Sequence, residues 1–431
     1  MLDSKEFDIE LLSCFVFKIF LEELQMRILY VLKHNPWGIG GGCYACRNYL
    51  DAFTDIFNNA KFDILYCSEF DSIGEHDNER WHFEAVVPMN ILDKVISPIT
   101  GVMDRFHRKV KELLAAGKYD WCIFDHSSIA GAVVELCKEK NVKTIVINHN
   151  FEYDYYRDSH PQWYKRMLVL PSVKRNERKS YLHADFNIFL TKEDAILFGQ
   201  TYGKSKTQVI IGGCFEQKGQ MQYILDTDVD KQNNVVKIVI TGTLGNIQNM
   251  DGIDYFLNVL YPMLPENIQI VITGKNPPSE LMERIKGGVG KEQKTSIQSI
   301  YQSYKNNQPQ TIKNGNLTLV ANPKDIQSIV ASCDIYLCPM KLGGGLKLRV
   351  MDGFRNGLPV VCHQVSARGY HDFINKGICF SYSNDGEFLS AVNNLCKSIR
   401  EKKISKLEVR QLFADIMGYE SRVSYLKEKI K

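Results

Sequence analysis

The stretch Pro339–Val361, PMKLGGGLKLRVMDGFRNGLPVV, gathers the residue types that hold a diphosphate. Glycines ahead of a helix let backbone N–H groups approach an anion closely, and the helix dipole favours negative charge there. The spacing predicts a helix from near Leu346, with Leu346, Val350 and Phe354 toward a sheet, Gly357 ending it and Pro359 opening the next strand. Lys347 and Arg349 then fall in the first turn, where each cation is unfavourable by about 0.3–1 kcal/mol. A bound diphosphate would explain them. The alternative is a glycine turn formed by Gly343, Gly344 and Gly345 with solvated basic residues, Arg349 pairing with Asp352 at i+3. Physics alone leaves both open.

Other candidates fall where strands end. VINHNFEYDYYRD places His149 just past an apolar run, with Glu152 and Arg157 as weaker candidates behind it. WCIFDH places His126 similarly. In WGIGGGCYACRNYL, Gly40, Gly41 and Gly42 form either a ligand-facing loop or a tight turn before a helix. A dinucleotide fingerprint fails there, since the position counted from Gly38 and Gly40 that needs a third glycine holds Cys43. Thr243 and Asn249 flank a strand-to-helix turn in ITGTLGNIQN, and Gly274 and Lys275 end the strand in VITGKNP. Lys275 reads equally as a solvated loop lysine. The single CxxC, Cys43 to Cys46, has no second pair or neighbouring histidine pair in the sequence to complete a zinc site, so a structural role is expected.

The elements that must position these residues alternate short β-branched runs with longer helical patterns, as parallel α/β units do. Strands are expected at Ile28–Leu32, Phe62–Cys67, Trp121–Asp125, Thr144–Asn148 and Phe186–Leu190, with helices at Cys43–Asn58, Val102–Ala116 and Ser128–Lys140. After a polar bridge, Thr227–Asn234, strands follow at Lys237–Thr241, Ile268–Thr273, Leu317–Val320, Ile335–Leu337 and Pro359–Cys362. The resulting fold class is α/β, with two Rossmann-like doubly wound domains facing a cleft. Expected boundaries are an N-terminal extension over 1–25, domains over 26–226 and 227–405, and an amphipathic helix over 406–431 that packs back on the first domain. Lys286–Asn316, basic and rich in Gln and Asn, reads as a surface insertion.

At 431 residues the chain exceeds what one core usually organises, which supports two domains. A net charge of +3 gives no argument for nucleic acid. Most of the 12 cysteines lie in apolar runs and read as small buried hydrophobes of a reducing, cytoplasmic compartment. No run of about 18 uncharged apolar residues predicts a membrane span. Residues 1–25 read as a helical or disordered extension, or alternatively as a membrane-surface anchor.

GGGLKLRVMDGFRNGLPVV resembles the donor-binding signature of glycosyltransferase family 4, whose members have the GT-B fold. The glycines, basic residues, acidic residue, helix-ending glycine and PVV all keep register. The resemblance implies that Lys347 and Arg349 contact the donor diphosphate and that Asp352 takes the place of the glutamate bonding the ribose. It also implies that Gly41, Gly42, Thr243, Asn249, Gly274, Lys275, Gly343, Gly344, Gly345 and Leu346 line the donor site. VINHNFE is similar to an HN-x-E motif of one branch, implying that His149 contacts the donor sugar. One departure is Gly344, where the family's Glu-x7-Glu pattern has its first glutamate. The activity implied is retaining transfer of a sugar from a nucleotide diphosphate donor to a glycan or lipid-linked acceptor hydroxyl, in polysaccharide or glycoconjugate synthesis. No Asp-x-Asp signature stands out, so neither metal nor cofactor is expected. Peripheral contact with an inner membrane surface fits this setting. The rival readings are a catalytically silent nucleotide-sugar-binding subunit and an epimerase or hydrolase on the same fold.

Overall fold

A computed structural model of the chain describes residues 25–38, 41–67, 76–86, 104–159, 163–205, 207–219, 235–288, 294–305 and 307–430. The expectations for residues 1–24 and for the bridge at 227–234 lie outside them. Two compact units result. The first comprises the chain through Phe189, Ile196–Ile211 and the chain from Leu426; the second comprises Leu190–Ala195 and Gly212–Tyr425.

In the first unit the buried runs form β1 (Arg27–Leu32), β2 (Lys61–Cys67), β3 (Trp81–Val86), β4 (Trp121–Asp125), β5 (Lys143–Asn148), β6 (Phe186–Phe189) and β7 (Gln208–Ile211). They run in the order β3-β2-β1-β4-β5-β6-β7, all pairings parallel. β1 and β4 are buried almost along their whole length, as interior strands covered on both faces must be. The strand order reverses between β1 and β4, and ligands of such sheets bind outside the strand ends at that point.

The second unit holds β8 (Val236–Thr243), β9 (Ile268–Lys275), β10 (Gln310–Asn314), β11 (Leu317–Ala321), β12 (Ile335–Cys338), β13 (Val360–His363) and β14 (Cys379–Tyr382). Their order is β10-β11-β9-β8-β12-β13-β14, with the reversal between β8 and β12. Its core packs Ile238, Ile240, Ile270, Ile272, Leu319 and Leu337 against helices on the sheet faces. These are the two doubly wound sheets expected.

Several local expectations are corrected. β3, β7, β10 and β14 went unpredicted, being short or partly exposed edge-side strands with weak apolar patterns. Lys286–Asn316 is more than an insertion, because β10 within it pairs antiparallel with β11 across an Asn314-Gly315 turn in which Gly315 has φ 57°. The helix expected over Ser128–Lys140 is broken into Ser127–Ala130 and Val134–Glu139. Gly131 lies at the break, where any side chain would collide with the backbone of Asn176 on the helix Trp163–His183. The terminal helix is two, Lys406–Met417 and Tyr419–Ile430, interrupted at Gly418. The cysteines described are free thiols, buried except for the half-buried Cys43.

Candidate donor site and histidine cluster

In the second unit, β8 ends in Thr241-Gly242-Thr243 and β12 leads through Pro339–Leu342 into the three glycines. Gly343 and Gly345 adopt φ 88° and 67°, backbone that only glycine takes cheaply. A side chain on Gly343 would stand 2.7 Å from Lys347 Nζ and 2.8 Å from Gln248 Oε1. Gly344 has no neighbour within 4 Å of where a Cβ would sit. The helix begins at Arg349, not Leu346, and runs to Arg355. The positive-φ glycines delay it, and the Lys347 carbonyl is held by the Tyr370 hydroxyl at 2.8 Å. Lys347 and half-buried Leu346 therefore belong to the loop, while Val350 and Phe354 are buried as expected.

Lys347 is 9% exposed, and its ammonium donates to the Gly344 carbonyl at 3.2 Å. Burial pulls its pKa down to about 8, with the Arg349 and Arg368 charges adding to the fall and Cys338 and the Asp194 carboxylate opposing it. Arg349 donates to the Thr241 carbonyl at 3.1 Å. Among the described residues, neither cation has a carboxylate within ion-pair distance. The i+3 pairing of Arg349 with Asp352 that the alternative reading called for does not form. Asp352 accepts instead from Arg355 at 2.7 Å, and Arg355 also pairs with buried Glu216. Burial raises the Asp352 carboxyl above its ordinary value.

The remaining expected residues divide by environment. Asn249 is buried and donates to the Thr243 carbonyl at 2.7 Å, so it shapes the turn beside Thr243, which is exposed. Gly274 pairs with Gly242 across β8 and β9, and a side chain on it would collide with the Gly242 carbonyl. Lys275 is exposed at the end of β9.

In the first unit, three strand ends converge at the reversal point. Asp125 ends β4, His126 follows it, and His149 follows β5. The His149 Nε2 contacts the Asp125 carboxylate, and the two imidazoles stack with centroids 4.0 Å apart and planes 9° from parallel. His34, after β1, meets His126 edge-on at 5.0 Å. Cys46 comes from the helix Gly41–Ile56. Donor atoms of Cys46, Asp125, His126 and His149 all lie within 4.8 Å of one another, and all four residues are buried. Burial opposes the Asp125 charge, but the His149 and His126 contacts outweigh it and hold the carboxyl well below the usual range. Lys33 pairs with buried Glu152 at 3.2 Å, while Arg157 pairs with Asp154 on the surface. Gly41 and Gly42 are the first residues of the helix rather than a loop, and Gly40 lies outside the described residues.

Sequence reasoning passed over Asp125, Lys33 and His34. Each directly follows or ends a strand beside the reversal point, a signal that requires knowing the strand order.

Residues 236–398, the span holding Lys347, Arg349 and the glycines, match the family described as Glycosyl transferases group 1. Residues 236–398 are thus similar to a group 1 glycosyltransferase domain. Solved glycosyltransferases share its architecture throughout. Sucrose-phosphate synthase from Thermosynechococcus elongatus aligns with a TM-score of 0.65 at 12% identity, covering 94% of this chain and 98% of that one. HepE from Anabaena, in complex with UDP, aligns with a TM-score of 0.59 at 13% identity, covering 94% and 99%. The fold is GT-B. An uncharacterized 44.6 kDa protein in the cps region of Klebsiella pneumoniae is 29% identical over 136 residues, a match spanning 31% of this chain and 30% of that protein. Among the described residues, no helix is long and apolar enough to cross a membrane.

Proposed function

We propose that the chain is a retaining glycosyltransferase that moves a sugar from a nucleotide diphosphate donor to a hydroxyl acceptor in polysaccharide assembly. One observation carries this reading. Lys347 and Arg349 converge at the strand-order reversal with no carboxylate partner among the described residues. A buried ammonium whose hydrogen bond goes to a carbonyl oxygen, with Asp194 close enough to be felt but not ion-paired, is poorly compensated, and a diphosphate would supply further countercharge. The solved neighbours support the donor class, since HepE was crystallised with UDP and with UDP and glucose together. The cps-region relative supports the polysaccharide setting.

Catalysis in this reading is electrostatic. The clamp holds the departing diphosphate and stabilises the negative charge that grows on its bridging oxygen as the glycosidic bond breaks. The same diphosphate oxygen, held close to the front face of the sugar, accepts the acceptor proton, which gives retention without a protein nucleophile. Asp352 lies at the ribose end and Gly344 leaves the sugar end open. The acceptor is a glycan or a lipid-linked sugar, reached by peripheral contact with a membrane surface.

The test is Lys347→Ala. Transfer should fall about 100-fold or more, the scale seen when one charge-stabilising donor is removed. Turnover equal to wild type would remove the clamp from the mechanism. Gly344 gives a specific reason to keep a second reading, a silent nucleotide-sugar-binding subunit. UDP-sugar binding that depends on Lys347, with no turnover on any acceptor, would favour it. Donor breakdown without acceptor would point to a hydrolase.

A further inference from the structure

The helix Trp163–His183 of the first unit carries a single acidic residue, Glu177, and that residue is buried. Glu177 accepts from the backbone N–H groups of Glu152 and Tyr153 and from the Tyr202 hydroxyl, while Asn176 lies against Gly131. Together with buried Ser172, Val173 and Ser180, they fix one side of the helix to the unit. On the other side, Trp163, Met167, Lys174 and Arg178 recur at intervals of three and four, with Tyr164 and Arg175 beside them, and all six are exposed.

This face divides along its length of about 22 Å. Its first part is apolar. Trp163 and Met167 are 71% and 68% exposed, the two highest values among the large apolar side chains described, and Tyr164 is 50% exposed. A cluster left so far in water marks a surface that something else covers. The second part is basic. Among the described residues none of Lys174, Arg175 and Arg178 is ion-paired, whereas Lys179, off this face, holds Glu135 at 2.6 Å.

We infer that this face docks the chain on an anionic lipid surface. Charge selects the occupant. Isologous contact with a second copy would set the three cations against their own equivalents, and a purely apolar partner would desolvate them without countercharge. An anionic bilayer meets both parts of the face. The rings and Met167 enter at headgroup depth, where tryptophan and tyrosine are favoured, and the cations meet lipid phosphates. The inference rests on the proposed function only for its purpose, which is to bring the chain to a lipid-linked acceptor.

The test mixes the full chain with vesicles of phosphatidylglycerol and phosphatidylcholine in equal parts, and with phosphatidylcholine alone. Neither donor nor acceptor is present, so this inference and the transferase reading can fail separately. Sedimentation should require the anionic lipid and fall in about 1 M salt. Tryptophan fluorescence should shift to the blue, because Trp163 is the exposed one of the four tryptophans. Replacing Lys174, Arg175 and Arg178 together by Ala should weaken partitioning about 100-fold, at about fivefold per cation. Trp163→Ala with Met167→Ala should weaken it about tenfold or more and abolish the blue shift. Both variants should keep nucleotide-sugar binding, and Lys347→Ala should bind vesicles as wild type does. Absent binding, binding indifferent to anionic lipid, or binding unchanged in either face variant would overturn the inference. Self-association that is lost in Trp163→Ala, without vesicle binding, would give the face to a second copy instead. Should a variant misfold, the lipid and salt dependence of the wild-type fluorescence decides.

Discussion

The two strand-order reversals of this molecule stand at the same place in similar sheets and are electrostatically unlike. In the first unit, the Asp125 carboxylate is enclosed by His126 and His149, and Lys33 is paired with Glu152. Charges there are answered from within the protein. In the second unit, Lys347 and Arg349 donate to the carbonyls of Gly344 and Thr241, and Asp194 and Asp352 act on them without forming an ion pair. An internally compensated cluster stabilises its own unit, whereas a buried cation without a counterion is costly until something anionic arrives. On the proposed function the contrast separates a structural centre from a binding one, and it can be tested by removing one charge from each.

Asp125→Ala should have the largest effect on folding. Removing the carboxylate leaves two stacked imidazoles buried without their acceptor, at a cost of about 3 kcal/mol, read from urea unfolding. The clamp variant Lys347→Ala should leave stability near wild type, because it removes a desolvated charge. Equal losses in the two variants would erase the distinction and make the clamp a structural feature.

A smaller effect is expected from pH. Lys347 in the free protein titrates at about 8, below its ordinary 10.5, and only the protonated form attracts a diphosphate. Donor affinity should therefore fall roughly tenfold from about pH 7 to about pH 9, measured by calorimetry. The sign for stability is opposite. Between about pH 8 and 10.5 the unfolded chain binds more protons at this residue than the folded one, so its contribution to stability rises with pH. Lys347→Arg, which stays charged, should flatten the affinity profile. A decline that persists in Lys347→Arg would assign the titration to another group.

The smallest effect concerns Gly344. Its Cβ position opens on space and its φ is not positive, so Gly344→Glu should change stability by less than about 0.5 kcal/mol. The variant restores the family's first glutamate, and donor-sugar affinity measured alongside stability shows whether that carboxylate reaches the sugar. A large loss of stability would mean that the loop around Gly343 and Gly345 has no room for it.

By itself the sequence determined the architecture and the order of the residues proposed to form the clamp. Alternating apolar runs report strands buried on both faces, and β4 was placed with its observed ends because every residue of WCIFD is buried. The glycines, Lys347 and Arg349 were legible because their order along the chain is itself the local geometry. Tertiary structure alone decided what surrounds them. That Arg349 bonds Thr241, 108 positions away, depends on β8 lying beside β12. The helix start at Arg349 was set by positive-φ glycines and the Tyr370 hydroxyl. The histidine cluster was the least legible of all. Cys46, Asp125, His126 and His149 are scattered over a hundred positions and meet only because parallel strands deliver their carboxyl ends to one edge of the sheet. Periodicity in a sequence records which face of an element is buried; it carries no record of which elements become neighbours.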